Sequence, residues 1–136
     1  MMHTMKETCS LTGLAYETLK YYCNEGLVPN VKRDSRNRRV FDDHDVAWIK
    51  DLNCLKRCGM SIEEMKKYLG YCLEGQKTIP LRQVMLNEKR AALKEHIAEL
   101  KACLKYIDWK QNFYADVLSG KTPYISNLIR VSGKQD

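Results

Sequence analysis

Tyr16, Lys20 and Tyr21, and a run of cations that follows them, carry the side chains best suited to meeting a polyanion. Between residues 29 and 41 those cations are Lys32, Arg33, Arg36, Arg38 and Arg39, with Asp34 as the single acid. A guanidinium forks onto a phosphate through two parallel N–H donors, an ammonium acts as a point charge, and a tyrosine hydroxyl donates to the same oxygens. A second chemistry rests on thiols. Cys9, Cys23, Cys54, Cys58, Cys72 and Cys103 are spread over helical patterns rather than gathered in a compact loop-rich frame, which reads as reduced cysteine. A charge run alone is most often a solvated surface, so the elements that carry it decide its meaning.

The spacing predicts a helix over residues 15–24, with Tyr16, Lys20 and Tyr21 on one side and Leu19 and Tyr22 turned to a core. A helix of about two and a half turns fits the major groove of duplex DNA. Asn tolerates a left-handed backbone, so Asn37 can close a tight hairpin and hold the arginines on a short β-ribbon beside that helix. These are the parts of a helix-turn-helix followed by a wing. On such a head Tyr16 and Glu17, near the helix start, are placed to meet base edges, while Lys20 and the arginines are expected mostly to hold phosphates.

The flanking elements follow from cap and stripe signals. Thr4 with Glu7 three residues on opens a short helix that ends at Gly13, with Met5, Cys9 and Leu11 facing inward. Gly26 supplies the permissive backbone at the exit of the second helix. Asp42-Asp43-His44-Asp45 starts a third helix running to about residue 57, whose apolar stripe is Val46, Ile49, Leu52 and Leu55, with Trp48 packing nearby. Ser61 with Glu64 caps a fourth, carrying Met65, Tyr68, Leu69 and Cys72 on its apolar side. Glu74-Gly75-Gln76-Lys77 is a polar break.

Residues 80–118 hold the longest periodic segment. Leu86, Arg90, Leu93, Ile97, Leu100, Leu104, Ile107, Gln111, Tyr114 and Leu118 alternate spacings of four and three, a coiled-coil seam with two polar members. At 1.5 Å per residue such a helix is on the order of 58 Å long, more than a small head can cover, so a second chain is expected. In an antiparallel pair Arg90 and Gln111 lie near one another and can fix the register. Tyr124, Ile125, Leu128, Ile129 and Val131 make the tail too apolar to be wholly disordered, and part of it is expected to dock on the pair as a short helix or turn, with a loose extreme end.

Thr12-Gly13-Leu14, Thr18-Leu19-Lys20-Tyr21-Tyr22, Gly26-Leu27, Arg39 with Phe41 two places on, and Gly59-Met60-Ser61-Ile62-Glu63-Glu64 resemble, in order, the MerR family of bacterial transcription regulators. The resemblance implies a mostly α fold: a winged helix-turn-helix head with a two-helix extension, and a long C-terminal helix that pairs antiparallel with its twin. It also implies double-stranded promoter DNA, a second copy of the chain and RNA polymerase as partners, with Tyr21 on a phosphate. By family analogy the bound dimer distorts an overlong promoter spacer so that the polymerase engages both promoter elements. Ala15 departs from the family's usual Ser cap, a loss of roughly 1 kcal/mol; Lys20 replaces the usual Arg, and Arg36-Asn37 stands where Asn-Gly is common. The expected organisation is a DNA-binding head over residues 1–73, a dimerisation helix over 80–118 and a short tail over 119–136, too short for a large effector-binding domain.

The run Val46-Ala47-Trp48-Ile49-Lys50-Asp51-Leu52-Asn53-Cys54-Leu55 is similar to the branch of that family that responds to electrophiles, aldehydes and other thiol-reactive species. Carried over by position, Cys54 is the candidate sensor, and Lys50, Lys56 and Arg57 are neighbours able to favour its thiolate. On the residues alone it reads equally as a core cysteine. Relatives that sense soft metals place thiolates at the start of the long helix and in a loop after it. Here the last cysteine is Cys103 and neither Cys nor His follows Tyr114, so no metal or other cofactor is expected.

Bulk properties agree with one modest core and a nucleic-acid partner. The 136 residues are 44% hydrophobic and 29% charged, and the net charge is +6, concentrated in the wing. No apolar run approaches a membrane span and no leader pattern is present, so a cytoplasmic protein without a membrane partner is expected. Other classes stay open. A thiol enzyme would use Cys54 with His44, but these stand almost three helical turns apart and no CxxC or oxyanion motif accompanies them, so no enzyme is expected. A coiled-coil adaptor whose basic loop binds RNA or an acidic protein shares the charge pattern, and a regulator of the same fold with another effector, or none, also fits.

Overall fold

Thr4 opens the first helix: its hydroxyl accepts the Glu7 amide while the Glu7 carboxylate accepts the Thr4 amide, the reciprocal cap that this spacing predicts. In the computed structural model, which describes residues 1–131, this cap launches α1 (Met5–Thr12), and α2 (Tyr16–Asn24) follows three residues later. Ala15 gives α2 no side-chain cap. The exit of α2 is fixed instead. With Gly26 at φ 77°, the Gly26 amide donates to the Cys23 carbonyl at 3.1 Å and the Leu27 amide to the Tyr22 carbonyl at 2.9 Å, so the last turn closes on itself.

Leu19 and Tyr22 of α2 are buried, as their spacing predicts. On α1 one expectation fails. Met5 and Cys9 do pack against the core, but Thr8 and Thr12 complete that face and Leu11 is exposed. At 3.6 residues per turn Leu11 lies roughly a third of a turn away from the face that these four residues define.

The wing is an antiparallel ribbon of β2 (Lys32–Arg33) and β3 (Arg39–Phe41), with Arg33 opposite Arg39 and Lys32 opposite Val40. A further strand, β1 (His3–Thr4), pairs with the other edge of β3, giving the order β1-β3-β2. Two residues are too few to show alternation, so periodicity had no hold on β1. Asp42 and Asp45 form a second reciprocal cap at the start of α3 (Asp43–Arg57), which buries Val46, Ile49, Leu52 and Leu55. Trp48 donates its indole N–H to the Leu27 carbonyl at 2.7 Å and so pins α3 to the exit of α2. Ser61 and Glu64 cap α4 (Ile62–Leu73) in the same way.

The polar break at Glu74-Gly75-Gln76-Lys77 is a bonded corner. A 3-10 turn (Gln76–Thr78) buries the Thr78 side chain, and the Thr78 hydroxyl and the Arg82 guanidinium both donate to the Tyr71 and Gly75 carbonyls. The last helix, α5 (Ile79–Leu118), is continuous, with Pro80 in its first turn where no helical donor is lost. Lys89 of α5 meets Glu64 of the α4 cap at 2.8 Å.

Contacts divide the chain into a head, Met1–Leu93, and a second unit that begins at Lys94. In the second unit Ile97, Leu100, Leu104 and Ile107 are all at least half exposed. After α5 the chain turns without forming a helix among the described residues. The Lys121 amide donates to the Asp116 carbonyl, the Ser126 hydroxyl accepts the Leu128 and Ile129 amides, and Tyr124, Ile125, Leu128 and Ile129 remain exposed. The tail end expected to be loose, residues 132–136, lies outside the described residues. No helix among the described residues is long and apolar enough to cross a membrane.

Candidate nucleic-acid interface

The burial of Leu19 and Tyr22 determines what α2 presents to its surroundings. Tyr16, Glu17, Lys20 and Tyr21 all stand exposed, with Tyr16 at 53% and Tyr21 at 46% of their full accessibility. The paired tyrosines therefore divide as expected: the Tyr22 ring is in the core, where burial first and the neighbouring Tyr21 second push its hydroxyl pKa up, and the Tyr21 ring lies outside, 6.4 Å away centroid to centroid.

The wing owes its shape to Asp34 and Asn37. The Asn37 amide donates to the Asp34 carbonyl, Asn37 sits at φ 61°, and the Asp34 amide donates to the Arg38 carbonyl, a three-residue hairpin with its left-handed residue last. The Asp34 carboxylate accepts the amides of Arg36 and Arg38 and the Arg38 Nε, and these contacts, the Arg38 amide foremost, hold its pKa below the usual aspartate range. Arg33 donates to the Asn37 carbonyl at 2.9 Å. One acid and one left-handed asparagine thus fold a cationic loop into a fixed presentation, with Arg33, Arg36 and Arg38 exposed.

Arg39 and Lys32 differ from those three. Arg39 is half-buried and donates to the Asn24 side-chain oxygen at 2.6 Å, tying β3 to the last residue of α2. Lys32 reaches away from the loop tip: its ammonium meets Asp42 at 3.0 Å and the buried Asp45 at 3.1 Å, and donates to the Asn30 carbonyl. The carboxylates it serves are the cap of α3. The Asp45 amide first and Lys32 second hold the Asp42 carboxyl at about 2.

Two grooves border α2. One, of about 410 Å³, is lined by Lys6, Tyr16, Arg33, Arg38 and Arg39 among others. The other, of about 450 Å³, separates α2 from the corner between α3 and α4 and includes Glu17, Tyr21, Lys56 and Ser61. Lys6 and Lys56 lie outside α2 and the wing, so neither the charge run nor the helix face in the sequence marks them as interface candidates. The capping box at Ser61 was the available signal, since it fixes where α4 starts and hence where Lys56 stands.

Among the thiols, Cys54 is exposed on α3 and Cys58 is half-exposed at its end. Burial pushes the pKa of Cys9, Cys23 and Cys72 up, and at Cys23 the guanidinium of Arg39 is the main counterweight. Among the described residues no three or more His, Cys, Asp or Glu side chains gather as a set that could hold a metal ion.

An exposed polar helix and a cationic hairpin, joined by Arg39 and Asn24 on one side of a buried core, define a winged helix-turn-helix DNA-binding head. Comparison with known proteins gives the family. Residues 3–72 match the MerR HTH family regulatory protein profile, and residues 46–109 match the profile described as MerR, DNA binding. An uncharacterized HTH-type transcriptional regulator of Haemophilus influenzae is 36% identical over 114 residues, 84% of each chain. The HTH-type transcriptional regulator AdhR of Bacillus subtilis is 37% identical over 83 residues, 61% of this chain and 59% of AdhR. Among solved structures, HiNmlR, a MerR family regulator lacking the sensor domain and bound to promoter DNA, superposes with a TM-score of 0.78 at 34% identity, covering 88% of this chain and 90% of that one. The chain belongs to the MerR family of DNA-binding transcription regulators, and the family's members are regulators rather than enzymes.

Proposed function

We propose that this regulator grips a palindromic promoter as a homodimer and that an electrophile or aldehyde signals to it through Cys54. The observation that carries the DNA-binding half is the shared exposure of the α2 face and the wing arginines, coupled through Arg39 and Asn24. Tyr16 and Glu17 meet base edges in the major groove; Lys20, Tyr21, Arg33, Arg36, Arg38 and Arg39 hold the flanking phosphates. Lys56 and Lys6 extend the phosphate grip along the two grooves. Lys32 acts mainly through the α3 cap, because its ammonium is already matched by Asp42 and Asp45.

The uncovered seam of α5 supports the homodimer. Leu93, Ile97, Leu100, Leu104 and Ile107 stay exposed in one chain, and a twofold partner matches the symmetry of a palindrome. In this reading residues 1–73 form the head, 80–118 the dimerisation helix and 119–136 a tail; the protein works in the cytoplasm, and RNA polymerase is the partner at the promoter. The exposure of Cys54 beside Lys50 on α3 supports its accessibility to an electrophile. Modification then favours the promoter-distorting state of the dimer, which requires a few kcal/mol of preference between two conformations.

The test is a footprint on candidate promoter regions, followed by binding to the protected palindrome over a salt series. Sequence-selective retention that falls steeply with salt is expected. Binding indifferent to sequence supports the adaptor alternative instead. For Cys54, reporter induction by an aldehyde should be lost in Cys54→Ser; equal induction removes Cys54 from the sensor role.

A further inference from the structure

From the order of residues along α3 we infer that Cys54 does not hold an aldehyde alone: Cys58, one turn further on, closes a carbon bridge between the two sulfurs. The inference rests on the reading of Cys54 as the sensor and adds the second nucleophile and the chemical class of the adduct. A single thiol is a poor trap for an aldehyde. It gives a hemithioacetal, which keeps a hydroxyl on the carbon and returns thiol and aldehyde on dilution. Lasting capture requires a second nucleophile that displaces that hydroxyl.

The geometry supplies one. The Cys58 amide donates to the Cys54 carbonyl at 3.0 Å, so the helical turn between them is intact, and Cys58 itself is the C-cap in helical conformation. Side chains four apart on a helix have Cβ atoms about 5–6 Å apart, a gap that two Cβ–S bonds and one shared carbon span. Cys54 is exposed and Cys58 half-exposed, so the aldehyde arrives from solvent and meets the outer thiol first. Lys50, one turn before Cys54 and also exposed, is the competing nucleophile.

The chemistry balances without an oxidant. The Cys54 thiolate adds to the carbonyl carbon, the C=O π pair moves to oxygen, and that oxygen takes a proton. The hydroxyl is then protonated and leaves as water while the Cys58 sulfur bonds to the same carbon and its thiol proton passes to solvent. Two thiols and one aldehyde become one dithioacetal and one water, and sulfur keeps its oxidation state. The bridge spans the last turn of α3, beside the Met60 and Ser61 corner that shares a groove with Tyr21 and Lys56 of the proposed DNA face. Adduct formation therefore acts on the α3–α4 corner next to that face.

The probe is formaldehyde, added at equimolar concentration to the full chain and then removed by desalting. Lys56 and Arg57 lie between the two cysteines, so trypsin separates them unless they are bridged. The expected result is a retained mass gain of one carbon atom per chain and a single linked species joining the Cys54 and Cys58 peptides. Cys58→Ser should lose the retained adduct and at least ten-fold of the sensitivity of reporter induction, while binding the promoter duplex as wild type does without aldehyde. A retained adduct in Cys58→Ser that disappears in Lys50→Arg overturns the inference in favour of the amine. Undiminished induction in Cys58→Ser together with loss in Cys54→Ser also overturns it, while the sensor reading stands. Undiminished induction in Cys54→Ser with a linked peptide in wild type sinks the sensor reading and leaves the bridge chemistry in place.

Discussion

The head buries a core of apolar side chains and the second unit does not. Leu19, Leu27, Phe41, Ile49 and Leu52 have no accessible surface, whereas Ile97, Leu100, Leu104 and Ile107 keep half or more of theirs. Both regions are helical and both follow clear apolar stripes, so propensity and patterning do not separate them. Closure does. In the head three reciprocal caps, the Trp48 hydrogen bond to Leu27 and a three-stranded ribbon fold the elements onto one core. The seam of α5 stays uncovered within one chain, which is what the proposed pairing with a second copy requires. An exposed apolar stripe this regular is informative about a partner in a way that scattered surface leucines are not.

The molecule offers a built-in way to test this contrast, because its two tryptophans fall on either side of it. Trp48 is packed in the head, while Trp109 is exposed and stacked on Phe113 in the second unit. The largest expected effect is on the head. Phe41→Ala removes a fully buried ring from β3 and should cost about 3–5 kcal/mol in denaturant unfolding followed by Trp48 in a Trp109→Phe background. The dimer mass by sedimentation should survive at denaturant concentrations where the Phe41→Ala head has unfolded; dissociation that tracks head unfolding would show that the two regions are not separable. Next comes the seam. Ile97→Asp with Leu104→Asp removes two apolar contacts per chain, each worth about 1.5–3 kcal/mol when buried. Sedimentation should then show single chains, and the affinity for the palindrome should fall more than roughly 100-fold, with the Trp48 signal unchanged. A dimer that persists would show that the exposed stripe is not the interface.

Much of this was legible in the residues. Capping boxes at Thr4 and Ser61, the acidic start at Asp42 and the left-handed Asn37 are local signals, because each depends on side chains reaching their own backbone within four positions. The inward face of α2 could be read because two large side chains, Leu19 and Tyr22, share one spacing. Leu11 misled for the complementary reason: Thr8 and Thr12 fill the inner face of α1, and a threonine gives no hydrophobic signal although its methyl packs as an apolar group. The roles of Lys32, Asn24 and Lys56 depend on residues ten or more positions away or on neighbouring elements, and no local pattern records which of several cations finds a buried carboxylate. The seam of α5 was visible as periodicity, while its lack of cover within one chain needed coordinates.

Within the wing the same contrast recurs at smaller scale. Arg39→Ala should weaken binding to every palindromic duplex about 10-fold and reduce the salt slope by about 1, since it removes the proposed phosphate contact together with the anchor on Asn24. Lys32→Met should leave the salt slope as it is and lower the denaturant midpoint of the head, because Asp45 loses a partner while the loop tip is untouched. Should Lys32→Met instead flatten the salt slope without touching stability, the assignment of Lys32 to the α3 cap is wrong.

The smallest effect expected is on acid stability, and it too belongs to the head. Asp42 is held at about 2, below its ordinary 3.8, by the Asp45 amide first and by Lys32 second. A carboxyl whose folded pKa is depressed binds fewer protons folded than unfolded, so its contribution is complete above the unfolded value and is lost as pH falls through the folded one. The urea midpoint read by Trp48 should therefore decline as pH drops from about 4 towards 2. Asp42→Asn keeps a good N-cap but no charge, so its midpoint should be lower at pH 7 and change less across that window. Parallel curves for the two proteins would mean that neither the Asp45 amide nor Lys32 lowers the Asp42 pKa in the folded head, and that the charge on Asp42 adds nothing to the closure that sets the head apart.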